Sequence, residues 1–422
     1  MNTKKKFTLT RLLMVITALI MFLGPVGGLP TSASASQASF IVQAANTELA
    51  VQIVEAHGGE ITSRLDIIHA VAANLSENEA AQLRLDKNII AITPNGEVKA
   101  SDDNKPGKQK EDETKGQTSE TPSADFGNVV GADVVWEEGV TGSGVAVAIL
   151  DTGLGGNLLQ LTQGTQDAKK NKNKSSRIVA WKDFIDNSKK PIDPNGHGSH
   201  VAGIIGNSQK GQDGEWNGIA PDVNLVGVRV LNDQGAGTYE SVISGLQWVI
   251  NNKERFNIRV VNLSLVSPVQ SPYWADPLNQ AVTATWASGV TVVVAAGNSG
   301  PGAMSISVPG NNPYVITVGA FTDNYTPSDW SDDYLAPFSA AGPTLDGFTK
   351  PDLVAPGAHM VSVVPTGSYL TTEYPGNNLN GNYFKLAGTS QATAAVSGIA
   401  ALVISQSPKL SPDQVKMRLT ST

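Results

Sequence analysis

The sequence contains no cysteine among its 422 residues. That absence excludes a disulfide-stapled fold and any thiolate-ligated zinc or iron–sulfur centre. It does not identify a compartment, because cytosolic proteins and disulfide-free secreted proteins share it. Positive charge is also in short supply. Thirty Lys and Arg stand against 38 Asp and Glu, a formal net charge of −8. A generic nucleic-acid binder is excluded on that balance, since phosphate neutralisation needs an excess of basic residues. Charged residues make up only 16% and apolar residues 40%, so the chain as a whole is not disordered. With 42 glycines, the remaining picture is of many tight turns between buried strands.

Long apolar runs are missing too, with one exception at the start. Lys4, Lys5 and Lys6 precede the run LLMVITALIMFL at 12–23, and Ala33 and Ala35 follow in an A-x-A pattern. A basic cluster, an apolar core and small residues in that order make a secretory signal peptide over 1–35. At about 1.5 Å per residue the run is too short to span a bilayer. The expected product is an exported protein without a membrane partner once the signal is removed.

Three further zones follow. Residues 36–100 read as strand, helix, strand, strand, helix, strand, with SFIVQA opening the unit and NIIAITP closing it. Ser76 and Glu79 form a capping box at the second helix. This order is the split βαβ pattern of a small ferredoxin-like α+β unit. Residues 101–123 open with SDDNKPGKQKEDETKGQTSE, ten of whose twenty residues are charged. Nothing there can be buried, so it is expected to be a flexible, protease-accessible linker. Residues 124–422 read as one α/β domain. GVAVAIL, NLVGVRVL, IRVVNLSL, VTVVVAAG and YVITVGAF are near-continuous apolar runs, as in strands buried on both faces. Helical stretches at 240–251 and 277–288 lie between them, so a doubly wound, mostly parallel sheet is expected. Its active site would lie beyond the carboxyl ends of the strands. Residues 155–176 look like an exposed loop.

Three motifs stand near those ends. In AILDTG, Asp151 follows an apolar run. A dinucleotide site fails here, because the glycines of GSG precede the strand. In NGHGSHVAG, His197 and His200 are three apart and could face one metal, but no third ligand stands beside them. In GTSQATAAVSGIAALVIS, Ser390 opens a helix that is apolar all round and must be buried. The helix dipole there favours an oxyanion. Each motif alone has an ordinary structural explanation as a cap or a turn. Together, Asp151, His197 and Ser390 occur in one of the known chain orders of a nucleophilic triad. Asn298, in AAGNSG, could supply an oxyanion donor.

VAILDTG, DPNGHGSHVAG, GIAPDVNLVGVRVL, AAGNSGP, KPDLVAPG and GTSQAT together resemble subtilisin-like serine proteases preceded by an inhibitor-type propeptide. The resemblance covers nearly all of 36–422, and Ala180–Phe184 (AWKDF) is similar to extracellular bacterial members. It implies a secreted serine endopeptidase made as a self-processing preproenzyme. Ser390 would be the nucleophile, His197 the general base and Asp151 the group that orients the imidazole. Asn298 and the Ser390 N–H would hold the oxyanion. Substrate would pair as a strand between Gly235–Gly237 and Ser264–Val266, with Leu265 in that segment. Ala295, Ala296 and Gly297 would line the pocket for the residue before the scissile bond. Protein or peptide substrates and the chain's own propeptide are the implied partners, and a monomer that binds no nucleic acid is implied. No cofactor is implied for catalysis. A structural calcium is possible, with Asn207, Asp213 and Glu215 in a candidate loop, although solvated loop polars explain them and the metal site stays unassigned. A second reading keeps the fold and drops the chemistry, leaving a weakly active or inactive subtilase-fold binding protein.

The sequence departs from the family at several places. Val266 stands where Gly is usual, Gln391 where Met is usual, Ala394 where Pro is usual and Ala341 where Arg is frequent. Gln391 lacks the thioether that peroxide oxidises. Family members also continue beyond the point matching Thr422, through a glycine-rich strand and a helix. Missing core elements would lower stability by several kcal/mol against a total of ~5–15. Val266 generates a specificity prediction. Added bulk beside the first pocket should make kcat/KM higher after small or medium residues than after large aromatic ones. Equal values on matched peptide substrates would sink it.

Overall fold

The computed structural model describes residues 37–101, 121–165 and 176–421. The expected signal peptide, most of the charged linker and much of the 155–176 loop lie outside the described residues. Within that loop, Leu158 and Leu161 are buried rather than exposed.

The first unit is built as the sequence pattern predicts. Strand β1 (Gln37–Ala44) is followed by helix α1 (Thr47–Ala56), β2 (Glu60–Leu65), β3 (Ala70–Ser76), α2 (Glu77–Leu83) and β4 (Ile89–Pro94). The sheet order is β2-β3-β1-β4. Asn46 caps α1 through the Leu49 N–H at 2.9 Å. The Ser76–Glu79 capping box is complete at α2. Phe40, Val42, Val54, Val71, Ala73 and Leu75 share one buried cluster. One more strand follows that the sequence did not announce: β5 (Glu97–Ala100) leaves this sheet and pairs elsewhere.

The larger unit begins with short helices α3 (Phe126–Val129) and α4 (Ala132–Glu137). It continues with β6 (Ala146–Asp151), α5 (Leu159–Thr162), β7 (Ile178–Asp183) and α6 (His197–Gly206). Then come β8 (Asn224–Arg229), β9 (Ala236–Thr238), α7 (Tyr239–Phe256), β10 (Ile258–Leu263), β11 (Leu265–Val266), α8 (Pro277–Ala287), β12 (Thr291–Ala295) and β13 (Ile316–Thr322). The chain ends with β14 (Tyr334–Leu335), β15 (Leu353–Pro356), β16 (Met360–Val363), α9 (Tyr369–Glu373), β17 (Tyr383–Leu386), α10 (Thr389–Gln406) and α11 (Pro412–Thr420).

The main sheet runs β14-β13-β12-β10-β6-β8-β7, with β15 beside β13. Every pairing in it is parallel except β13 with β14. All residues of β6 and β12 are buried, which explains their unbroken apolar runs. Helices α6 and α10 pack on one another and on the sheet, and α7 and α8 form a second pair. The doubly wound α/β reading therefore holds. Among the described residues, no helix is long and apolar enough to cross a membrane.

Close packing of α6 depends on small residues. A Cβ on Gly203 would stand 2.2 Å from Ser362 Oγ and 2.9 Å from Val363 Cγ2, both on β16. Ser362 cannot simply turn away, since its hydroxyl donates to the His200 carbonyl at 2.7 Å. Gly203→Ala should therefore cost about 1–3 kcal/mol, the range for overpacking a tight interface. Thermal unfolding checks this, and an unchanged Tm counts against it.

Candidate functional site

Parallel strands deliver their carboxyl ends to one edge, and the motif residues sit there. Asp151 ends β6, Ser264 follows β10, and Ala296, Gly297 and Asn298 follow β12. His197 opens α6 and Ser390 lies in the first turn of α10. All of Asp151, His197 and Ser390 are fully buried.

His197 Nδ1 lies 2.7 Å from Asp151 Oδ1. The same carboxylate oxygen accepts the Thr152 N–H at 2.7 Å. Burial pushes the Asp151 carboxyl above its ordinary value, while His197 and the Thr152 N–H pull it back. The histidine loop is held by a residue that the motif reading passed over. Asp193 accepts from Thr152 Oγ1 at 2.8 Å, the Gly196 N–H at 2.9 Å, the Ser199 N–H at 2.7 Å and Ser199 Oγ at 2.6 Å. It stands in the quoted DPNGHGSH run, so its position was visible while its role was not. Gly196 takes φ +106°, and a Cβ on Gly198 would sit 2.2 Å from the Gly153 carbonyl. Gly196 by its backbone and Gly198 by this close approach therefore both require glycine.

Asn298 is oriented from both ends of its amide. Oδ1 accepts the Thr389 N–H at 2.9 Å and Thr389 Oγ1 at 2.8 Å. Nδ2 is thereby left to point the other way, where it donates to the Ser101 carbonyl at 2.9 Å. Ser390 Oγ lies 2.6 Å from that same oxygen and 3.1 Å from the Ser264 carbonyl. Ser264 Oγ in turn donates to the Ser390 carbonyl at 2.9 Å.

Ser101 corrects the expectation for the charged stretch. It was assigned to an exposed linker, yet it is 2% exposed. The reason is the strand that leads to it. β5 lies between β9 and β11, antiparallel to both. Val98 faces Gly237, Lys99 faces Ala236 and Val266, and Ala100 faces Leu265. The Ala100 N–H donates to the Gly235 carbonyl at 2.9 Å, and the Ser101 N–H to the Ser264 carbonyl at 3.1 Å. Gly235, Gly237, Ser264, Leu265 and Val266 thus flank one added strand. No sequence signal marked Ser101, because it heads a charged run and its partners, the Ser264 carbonyl, Asn298 Nδ2 and Ser390 Oγ, are distant in sequence.

Ala296 is buried with Ile306 and Ala340, and the Gly297 N–H donates to Thr389 Oγ1 at 3.2 Å. Lys99, Val266, Pro268, Met304, Ile306 and Ser307 line a cavity of about 470 Å³ beside the added strand.

Other candidates are not brought together. His200 Nε2 lies 3.2 Å from the Met360 carbonyl and 3.1 Å from that of Phe384, so this ring joins α6 to β16 and β17. In the candidate calcium loop the polar side chains of Asn207 and Asp213 are engaged within the protein. Asn207 Oδ1 accepts the Gln209 N–H and its Nδ2 donates to Tyr383 Oη. Asp213 Oδ1 accepts the Glu215 N–H. Elsewhere Asp125, Asp323 and His359 bring potential ligand atoms within 4.8 Å of one another. There His359 Nε2 already pairs with Asp323 Oδ1 at 2.6 Å.

The fold and this edge define a class. The Subtilase family model matches residues 142–422, and the chain belongs to that family. Serine protease AprX of Bacillus subtilis (strain 168) is 39% identical over 282 residues, covering 66% of this chain and 60% of AprX. Subtilisin DY of Bacillus licheniformis is 34% identical over 296 residues, covering 70% of this chain and 89% of that protein. A solved structure titled as a cold adapted subtilisin-like serine proteinase matches at 35% identity with a TM-score of 0.49, covering 67% of this chain and 82% of its own.

Asp193 gives a stability prediction for this site. Replacing it by Ala strands four donors, and each buried unpaired group costs about 1–3 kcal/mol. In a Ser390→Ala background, Asp193→Ala should lose at least about 2 kcal/mol of unfolding free energy. Urea denaturation measures it, and an unchanged midpoint at constant slope rejects the role.

Proposed function

We propose that this chain is an exported serine endopeptidase, made as a precursor that cuts itself, and that Asp151, His197 and Ser390 are its catalytic triad. The observation that carries the reading is the Ser101 carbonyl, held by Asn298 Nδ2 at 2.9 Å with Ser390 Oγ 2.6 Å away. An ordered strand leads up to it and pairs on both edges. A peptide carbonyl is thereby held within hydrogen-bond reach of both the proposed oxyanion donor and the proposed nucleophile, which supports the reading.

The proposed steps use these side chains. Ser390 Oγ loses its proton to His197 Nε2 and bonds to the acyl carbon. The carbonyl electron pair moves to oxygen, where Asn298 Nδ2 and the Ser390 N–H receive it. Asp151 keeps Nδ1 protonated and stabilises the imidazolium. His197 then gives the proton to the leaving amine as the C–N bond breaks. Water, deprotonated by the same imidazole, hydrolyses the acyl-enzyme and regenerates Ser390.

Residues 36–100, with Ser101 as the last residue before the proposed cut, act as the propeptide that covers the active site. Several contacts support this. Gln43 Nε2 donates to Gln280 Oε1 at 2.6 Å, Asn95 Nδ2 to Glu240 Oε2 at 3.2 Å, and the Tyr239 N–H to the Gly96 carbonyl at 2.9 Å. Ser63 also bonds to Glu240. The unit therefore seats on the starts of α7 and α8 and runs its last strand into the cleft. In the sequence the next bond joins Ser101 to Asp102, and this is the proposed processing bond. Lys4–Lys6 and the apolar run after them support export.

Expression of the full chain beside Ser390→Ala tests this. Intact mass and N-terminal sequencing should show a product beginning at Asp102 in the first and an uncut precursor in the second. The same cut in both, or no cut in either, rejects the reading.

A further inference from the structure

Gln391 is the residue after the proposed nucleophile, and nothing in the triad mechanism uses it. It is fully buried, yet among the described residues neither Oε1 nor Nε2 has a hydrogen-bond partner. Other buried polar side chains of the same helix are satisfied. Thr393 Oγ1 donates to the Thr389 carbonyl at 2.7 Å, and Ser397 Oγ to Asn262 Oδ1 at 2.9 Å. Burying an unpaired amide is unfavourable, so packing alone does not account for a glutamine here.

The direction of the side chain does. A Cβ placed on Gly388 would stand 2.8 Å from Gln391 Oε1, 2.7 Å from the Ser101 carbonyl oxygen and 3.1 Å from Asn298 Nδ2. The end of the glutamine, the acyl oxygen and the first oxyanion donor therefore converge on one point over Gly388. Any side chain at 388 would fill it. The terminal torsion of a glutamine is broad and roughly two-fold. A half-turn of the amide exchanges Oε1 for Nε2 and moves nothing else.

We propose that Gln391 is an additional oxyanion donor in this chain. As Ser390 Oγ bonds to the acyl carbon and the carbonyl electron pair moves onto oxygen, Nε2 turns toward that oxygen and shares it with Asn298. A hydrogen bond to an ionised acceptor is stronger than one to a neutral carbonyl. The contact therefore strengthens only as charge develops, and it lowers the barrier more than it tightens substrate binding. The inference rests on the proteolytic reading above.

The test uses the full chain after its own processing, with a peptide anilide carrying a small residue before the scissile bond. The variants are Gln391→Met, Gln391→Leu and Asn298→Ala, together with the Asn298→Ala/Gln391→Met double. The first two remove the donor by different shapes, so a folding defect in one does not decide the outcome. Both should lower kcat about tenfold with KM unchanged. Loss of a side-chain oxyanion donor costs ~10²–10³ in turnover, a figure established for a subtilisin rather than derived for this chain. With Gln391 present to share the charge, Asn298→Ala should cost only about tenfold, and with Met at 391 the full ~10²–10³. An equal cost in both backgrounds, or an undiminished kcat in both Gln391→Met and Gln391→Leu, overturns the inference while leaving the proteolytic reading intact. Absence of hydrolysis that depends on Ser390 overturns both.

Discussion

Parallel pairing of strands buried on both faces is the constraint from which the site follows. Six parallel pairings place the carboxyl ends of β6, β8, β10, β12 and β13 at one edge. Asp151, Ser264 and Asn298 arrive there because each ends or follows a strand. Ser390 arrives because α10 is apolar all round and has to be enclosed between the sheet and α6. A helix fixed that firmly holds its first turn still. The Thr389 N–H and hydroxyl then orient Asn298, so a single helix start positions both Ser390 and the amide opposite it.

Main-chain pairing does the recognition at this edge. β9 and β11 each present an unpaired side, and β5 satisfies both at once. Strand addition is indifferent to most side chains, which is how a segment with two charged residues can fill it. Glu97 and Lys99 stay exposed while Val98 is fully buried, following the period of two. The last rung of this ladder is Ser101, and the carbonyl it carries reaches the donors of Asn298.

Buried charge near the site is heavily compensated. Asp193 collects four donors from the histidine loop and from Thr152. Arg229, buried at the end of β8, faces Asp183, Asp186 and Asp233, and its Nε donates to the Thr152 carbonyl at 3.1 Å. These networks surround Thr152, next to Asp151, so the carboxylate that meets His197 rests on a rigid support. Gln391 differs, with neither amide atom partnered among the described residues although its end lies near the Ser101 carbonyl.

The strands β6, β8, β10, β12 and β13, the helices α7 and α8 and the ferredoxin-like order of the first unit were legible in the sequence. Hydrophobic periodicity and capping are local properties, and they survive without knowledge of neighbours. The motifs around Asp151, His197, Asn298 and Ser390 were legible for a related reason, since glycines and small residues mark where backbone must turn or approach closely. Asp193, by contrast, sat in plain view with no sign of its four donors. β5 and Ser101 were hidden altogether. A strand that pairs across two distant segments carries no local pattern, and a serine at the head of a charged run looks exposed. Residue type and spacing set the elements and the chemistry available to them. Which carbonyl lies against Ser390, and which buried amide lacks a partner, depends on contacts between residues hundreds of positions apart, and only the packed chain decides those.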